Sequence, residues 1–228
     1  MRPWRLLLEE WPNEWIGFVS ELPGCSVKGK NRDEVLARAP EAIARHLAWL
    51  AAHGLPRPEG SGPEVRVAEE MAATAQGVGP LFHDDRWPMR LEEIEAVLRV
   101  SSAAVADLLA LWERASGWER RTGHARPAGG TPSDILRHVA ESDRWYAARL
   151  SPDVAGMALP DDPAEAIRRT DRAFTGVVRA WWSVWGETVV EREGEQWTVR
   201  KVLRRRTAHL CEHAQQLARW VGDRPTAQ

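Results

Sequence analysis

The hydrophobic period changes once along this chain, and that change constrains the fold more than any single motif. In residues 1–75 apolar side chains fall in short runs closed by turn residues, the pattern of strands. Beyond residue 90 they recur every three or four positions over long runs, the pattern of helices. Between the two, residues 76–89 hold Gly77, Gly79, Pro80, Asp84, Asp85 and Pro88 and read as a linker. The expected class is therefore α+β, a small β-β-β-α-β domain over 1–75 followed by an all-α four-helix bundle over 90–222. A length of 228 residues suits two such units.

Local signals place the elements. Trp4–Glu10, Trp15–Glu21 and Ser26–Lys30 read as strands, separated by the turn pairs Pro12-Asn13 and Pro23-Gly24. Asn31 reads as a helix N-cap with Glu34 as its capping-box partner. Val35, Leu36, Ala39, Ile43, Leu47 and Leu50 then follow at helical spacing, and Glu64–Glu70 alternates like an edge strand. In the second unit the first helix carries Leu91, Ile94, Val97, Leu98, Val105, Leu108 and Trp112. A loop with Gly117, Gly123, Pro127, Gly129 and Gly130 is expected after it. Thr131-Pro132-Ser133-Asp134 marks the next helix start, for a helix reaching Leu150. Further helices are expected over 163–185 and, capped by Thr198, to Val221, with a small hairpin over 188–197 before the last.

Seven histidines occur, and three form a pattern. His209 and His213 are four apart on the last helix, so their imidazoles share a face. Leu203, Leu210 and Leu217 mark that helix's core stripe, with His213 on it and His209 at its edge. His138 shares a face with Ile135, Val139, Ser142 and Trp145 on another helix. All three rings are expected to point into or beside the bundle interior. Facing helices can bring such residues around one ion, and three neutral imidazoles suit a divalent metal, zinc first, with nickel, iron or manganese open on the same ligands.

Around these ligands, Glu141 and Glu212 are candidates to orient the imidazoles. Arg206, seven residues before His213, shares its face and is a candidate to bind an anionic substrate. The rest of the run Arg200, Lys201, Arg204 and Arg205 reads as a solvated helix face. Cys25, in a turn with no adjacent histidine, reads as a small buried side chain. Cys211 is about 200° around the helix from His209 and reads as structural.

Two resemblances follow from these residues. Residues 90–222 resemble the DinB/YfiT-like four-helix bundle proteins, through Asp-Ile-Leu-Arg-His-Val-Ala-Glu-Ser-Asp-Arg-Trp-Tyr around His138. The match continues through Trp-Thr-Val-Arg-Lys-Val-Leu and His-Leu-Cys-Glu-His-Ala-Gln-Gln-Leu around His209 and His213. The resemblance implies a divalent metal on His138, His209 and His213. It also implies an enzyme acting on a small molecule, a thiol-dependent transferase using a low-molecular-weight thiol or a hydrolase. Residues 4–70 resemble the HicB-like fold through Trp-Ile-Gly-Phe-Val-Ser-Glu-Leu-Pro-Gly-Cys and Asp-Glu-Val-Leu-Ala-Arg-Ala-Pro-Glu-Ala-Ile. HicB-like proteins bind a small toxin, and typical ones continue into a DNA-binding segment; here a helical unit follows instead. The alternative function is accordingly a non-catalytic binding or regulatory protein, with the bundle serving dimerisation or sensing.

Composition excludes several classes. Two cysteines make no disulfide scaffold and fit a reducing compartment. The net charge of −2 gives no electrostatic case for nucleic acid or membrane. Neither a signal peptide nor an apolar run of membrane-spanning length is visible, so a cytoplasmic protein is expected. The 13 tryptophans, with Trp181, Trp182 and Trp185 clustered, are expected in core and interface positions and favour a homodimer. No carboxylate pair in 1–70 is placed by a nuclease motif.

Overall fold

A computed structural model describes residues 2–58, 61–74, 79–122 and 130–222. It is a mixed α+β protein, an N-terminal four-stranded sheet followed by helices. Strands β1 (Arg2–Glu10), β2 (Trp15–Val19) and β3 (Ser26–Gly29) form an antiparallel meander. Helix α1 (Arg32–Ala52) then crosses to β4 (Ser61–Ala72), which returns parallel to β1 and gives the order β3-β2-β1-β4. The crossover starts at the expected N-cap, with Asn31 Oδ1 accepting from the Glu34 N–H at 2.9 Å, but Glu34 Oε2 accepts from the Lys30 N–H at 2.6 Å and not from that of Asn31, so the expected capping box is replaced by a bond one residue earlier.

The run Leu6-Leu7-Leu8 explains why the sheet is not free-standing. Successive strand side chains point to opposite faces, yet all three leucines are buried. Trp4, Leu6 and Leu8 meet Val35, Ala39 and Ile43 of α1 on one face. Leu7 and Phe18 meet Phe82 and Ala208 on the other. The second cover comes from the C-terminal helix and from the segment expected to be a linker.

Helices α2 (Leu91–Thr122), α3 (Pro132–Leu150), α4 (Pro163–Trp185) and α5 (Val199–Gly222) surround common apolar clusters. One joins Val105, Leu108, Ile135, Val139, Ile167 and Leu210; another joins Ile94, Leu98, Tyr146, Phe174, Trp197 and Leu203. Hairpin strands β5 (Val190–Arg192) and β6 (Glu195–Trp197) precede α5, with φ of 55° at Glu193 and 76° at Gly194, the backbone a tight two-residue turn needs. No helix among the described residues is long and apolar enough to cross a membrane.

Three expectations change. Gly117 lies inside α2, which runs on through Thr122 instead of ending near Trp112, while Gly123, Pro127 and Gly129 lie outside the described residues. Residues 79–88 of the expected linker are packed: Phe82 is fully buried, Asp84 accepts from Arg5 at 2.6 Å and from Ser20 at 2.7 Å, and Asp85 accepts from Arg204 at 2.8 and 2.9 Å. The basic run on α5 is not a solvated face. Lys201 and Arg206 are fully buried, and Arg204 and Arg205 are nearly so, each opposite a carboxylate. The carboxylates facing Arg204, Arg205 and Arg206 lie far away in sequence, so the sequence alone showed those charges without their partners, whereas Glu195 stands six positions before Lys201. Of the clustered tryptophans, Trp182 donates to the Met89 carbonyl at 2.8 Å, Trp181 is half-buried, and Trp185 is exposed.

Candidate metal centre

The start of α3 is set by a complete capping box. Thr131 Oγ1 accepts from the Asp134 N–H at 3.2 Å, and Asp134 Oδ2 accepts from the Thr131 N–H at 2.9 Å. The start of α5 is set by Thr198, whose Oγ1 accepts from the Lys201 N–H at 3.1 Å and donates to the Asp85 carbonyl at 2.8 Å. With both helix origins fixed, His138 falls in the second turn of α3, opposite the third and fourth turns of α5, where His209 and His213 project together.

The three imidazoles meet through the same nitrogen. His209 Nε2 lies 3.0 Å from His213 Nε2 and 3.2 Å from His138 Nε2. One ligand atom from each residue lies within 4.8 Å of the others, close enough to hold one metal ion. Tetrahedral bonds to zinc of 2.0–2.1 Å would separate neighbouring donors by roughly 3.3 Å. The two separations from His209 fit that requirement.

Protonation supports the fit. Gln216 Oε1 can only accept, so at 2.7 Å it takes the proton of His213 Nδ1 and leaves the Nε2 lone pair facing the cluster. Burial, reinforced by the neighbouring rings and the cation of Lys28, pushes His209 well below the ordinary histidine range; burial is also the main cause lowering His213. Both are thus held neutral, as ligands must be. Among the described residues, His209 Nδ1 is buried with no hydrogen-bond partner. Three inward lone pairs at this spacing repel unless a cation or a proton lies between them.

The site is a rim, not an interior. His209 and His213 are half-buried, beside the interior as expected, while His138 is exposed, which corrects the expectation that it points inward. His138 sits at the border of the apolar stripe of α3, one step past Ile135. Beside it an open cleft of about 640 Å³ is lined by His138, Glu141, Ser142, Trp145, Tyr146 and Arg205. A small molecule reaching the centre has a path here.

The remaining candidates are rearranged. Arg206 is fully buried, donating to Asp143 at 3.0 and 2.6 Å and to Asp171 at 2.8 Å, with Phe174 under its guanidinium. It is a core cation and cannot reach a substrate; sharing a helical face with His213 did not place it at the same depth. Glu141 lines the cleft but, among the described residues, makes no hydrogen bond to the three histidines. Glu212 pairs with Lys28 at 2.8 Å. The imidazole-orienting role passes to Gln216, one turn after His213, a spacing that a search for amides as well as carboxylates would have found. Cys211 lies on the other side of α5 against Gly24, and burial pushes its thiol, like that of Cys25, up to about 12. Neither thiol is a ready nucleophile. No family model matches the chain, and comparisons with curated proteins and with solved structures found no match.

Proposed function

We propose that His138, His209 and His213 hold one divalent cation, zinc being the best fit to three neutral imidazoles, and that the chain is a metal-dependent enzyme acting on a small molecule, as a thiol-dependent transferase or a hydrolase. The observation that carries this reading is the convergence of three Nε2 atoms, with neighbouring separations of 3.0 and 3.2 Å, from two helices. Nickel, iron and manganese accept the same ligands. When bound, the ion would supply Lewis acidity, lowering the pKa of a thiol or water in its open position so that it attacks an electrophile.

The chain's own residues do the rest. Gln216 fixes the tautomer of His213, burial keeps His209 and His213 uncharged, and the cleft beside His138 admits the substrate against Trp145 and Tyr146. The motifs shared with DinB/YfiT-like proteins support the same assignment. Exposed Val184 and Trp185, at the end of α4, support assembly as a homodimer.

Elemental analysis of purified protein tests the reading. One equivalent of metal is expected in the wild-type chain, and His213→Ala should remove it. Stoichiometric metal surviving that substitution overturns the proposal.

A further inference from the structure

Most cations near the three histidines are committed. Arg206 is enclosed by Asp143 and Asp171, and Arg205 is held by fully buried Glu9. Lys28 differs. It stands on edge strand β3 opposite Ile16, and its side chain is 43% exposed. From there it reaches out of the sheet toward α5, where its Nζ lies 2.8 Å from Glu212 Oε1 and 3.9 Å from Glu14 Oε2.

Glu212 immediately precedes His213 and follows His209 by three positions, so this ion pair lies at the border of the histidine cluster. The charge of Lys28 is felt by both rings, lowering the pKa of each. An ion pair this exposed is weak, so its cation can be exchanged for another anion at little cost. Lysine suits such an exchange: its ammonium is a point charge with three donors on a four-carbon stem, and it needs no fixed bidentate geometry.

We propose that Lys28 is a substrate-binding residue which the N-terminal sheet contributes to the histidine centre, releasing Glu212 to bind the carboxylate of a ligand held there. The ligand class is a small molecule with a metal-binding atom and a carboxylate a few bonds apart. This rests on the metal reading above and deepens it. It also replaces Arg206, the cation that helical spacing alone suggested, with one from the other layer of the molecule.

The test uses the full chain loaded with cobalt(II), whose d–d bands report the ligand set and whose charge-transfer band reports thiolate binding. Two probes of similar size are titrated, 3-mercaptopropionate and 2-mercaptoethanol, which differ in carrying a carboxylate or a hydroxyl. Lys28→Met is expected to weaken 3-mercaptopropionate roughly threefold to fivefold, the scale of one exposed ion pair, and to leave 2-mercaptoethanol binding and the thermal midpoint essentially unchanged. Lys28→Arg should restore most of the preference. If Lys28→Met weakens both thiols alike, or neither, Lys28 is only a strap between sheet and helix and the inference is overturned. If the wild-type chain shows no nitrogen-ligated cobalt spectrum, the metal reading itself fails, and this one with it.

Discussion

Glu9 Oε2 and Arg205 Nη1 lie 2.9 Å apart inside the molecule and join β1 to α5 across 196 positions of sequence. Arg204 adds a second contact to the same carboxylate at 3.1 Å, and Trp11 Nε1 donates to it at 3.0 Å. Burial would raise the pKa of Glu9, but the two guanidinium groups outweigh it and hold the carboxyl below the usual range. Glu9→Gln keeps the shape and removes the charge, leaving two largely buried cations short of a partner. A loss of about 3 kcal/mol is expected, measured as a lower denaturation midpoint. A change under about 0.5 kcal/mol would show that the pair does not hold the layers together.

Gly24 provides a second measure of the same junction. Its φ is 89°, and a Cβ there would lie 2.7 Å from Cys211 Sγ and 3.1 Å from His46 Cε1. Gly54 also has positive φ, at 63°, but a Cβ there meets nothing within 4 Å. Gly54→Ala should therefore cost only conformational strain, about 1 kcal/mol, and Gly24→Ala that strain plus a clash, about 2 kcal/mol or more. The difference between the two, read by chemical denaturation, isolates the docking of the Pro23-Gly24 turn on α5. Equal costs would mean that the turn can retreat from Cys211.

His46 should make stability depend on pH. Burial lowers its pKa to about 4 against an ordinary 6.5, although Nε2 donates to the Pro23 carbonyl at 3.0 Å. The folded state thus resists a proton that the unfolded state accepts. Its contribution is complete above pH 6.5 and is lost as pH falls from there toward 4, by up to about 3 kcal/mol. His209 and His213 act in the same direction, so the check is comparative. His46→Gln keeps a donor for Pro23 and should flatten the fall in stability between pH 6.5 and 4 relative to wild type. An unchanged slope would remove His46 as a source.

Asp143 and Arg206 are both fully shielded from solvent. Burial opposes the charge of Arg206, but Asp143 and Asp171 more than offset it and raise its pKa. Removing Asp143 leaves the buried Arg206 with Asp171 as its remaining counter-charge and an unfilled space beside its guanidinium. Asp143→Ala should cost about 3–5 kcal/mol, while Asp143→Ala combined with Arg206→Met should recover much of it. A double variant no more stable than the single one would contradict the pairing.

Legibility in the sequence followed the distance between interacting residues. The caps at Asn31 and Thr131 were readable because both partners lie within one turn. His209 and His213 were readable as neighbours because helical period alone puts them on one face. His138 joined them through the packing of α3 on α5, which the sequence signalled only by the face it shares with Ile135 and Val139. Arg204 and Arg205 looked like a solvent face, and Arg206 like a substrate cation, because Asp85, Glu9 and Asp143 lie 63 to 196 positions away. The triple leucine announced a strand but not that its second face would be covered by Ala208 and Phe82. Lys28 gave no signal at all, since strand pattern does not say which helix a β3 side chain will reach.

The double burial of β1 also has a consequence in time. The face bearing Leu7 and Phe18 is closed in part by Ala208 on the last helix, so a ribosome delivers the sheet long before its cover. At ordinary rates of synthesis the 136 positions from Ala72 to Ala208 take roughly 7–27 s. Throughout it an apolar strand face with a buried-type glutamate stands open to solvent. The nascent chain is most exposed to misassociation in that window, and the histidine centre, whose α5 ligands arrive with the cover, can form only after the window closes.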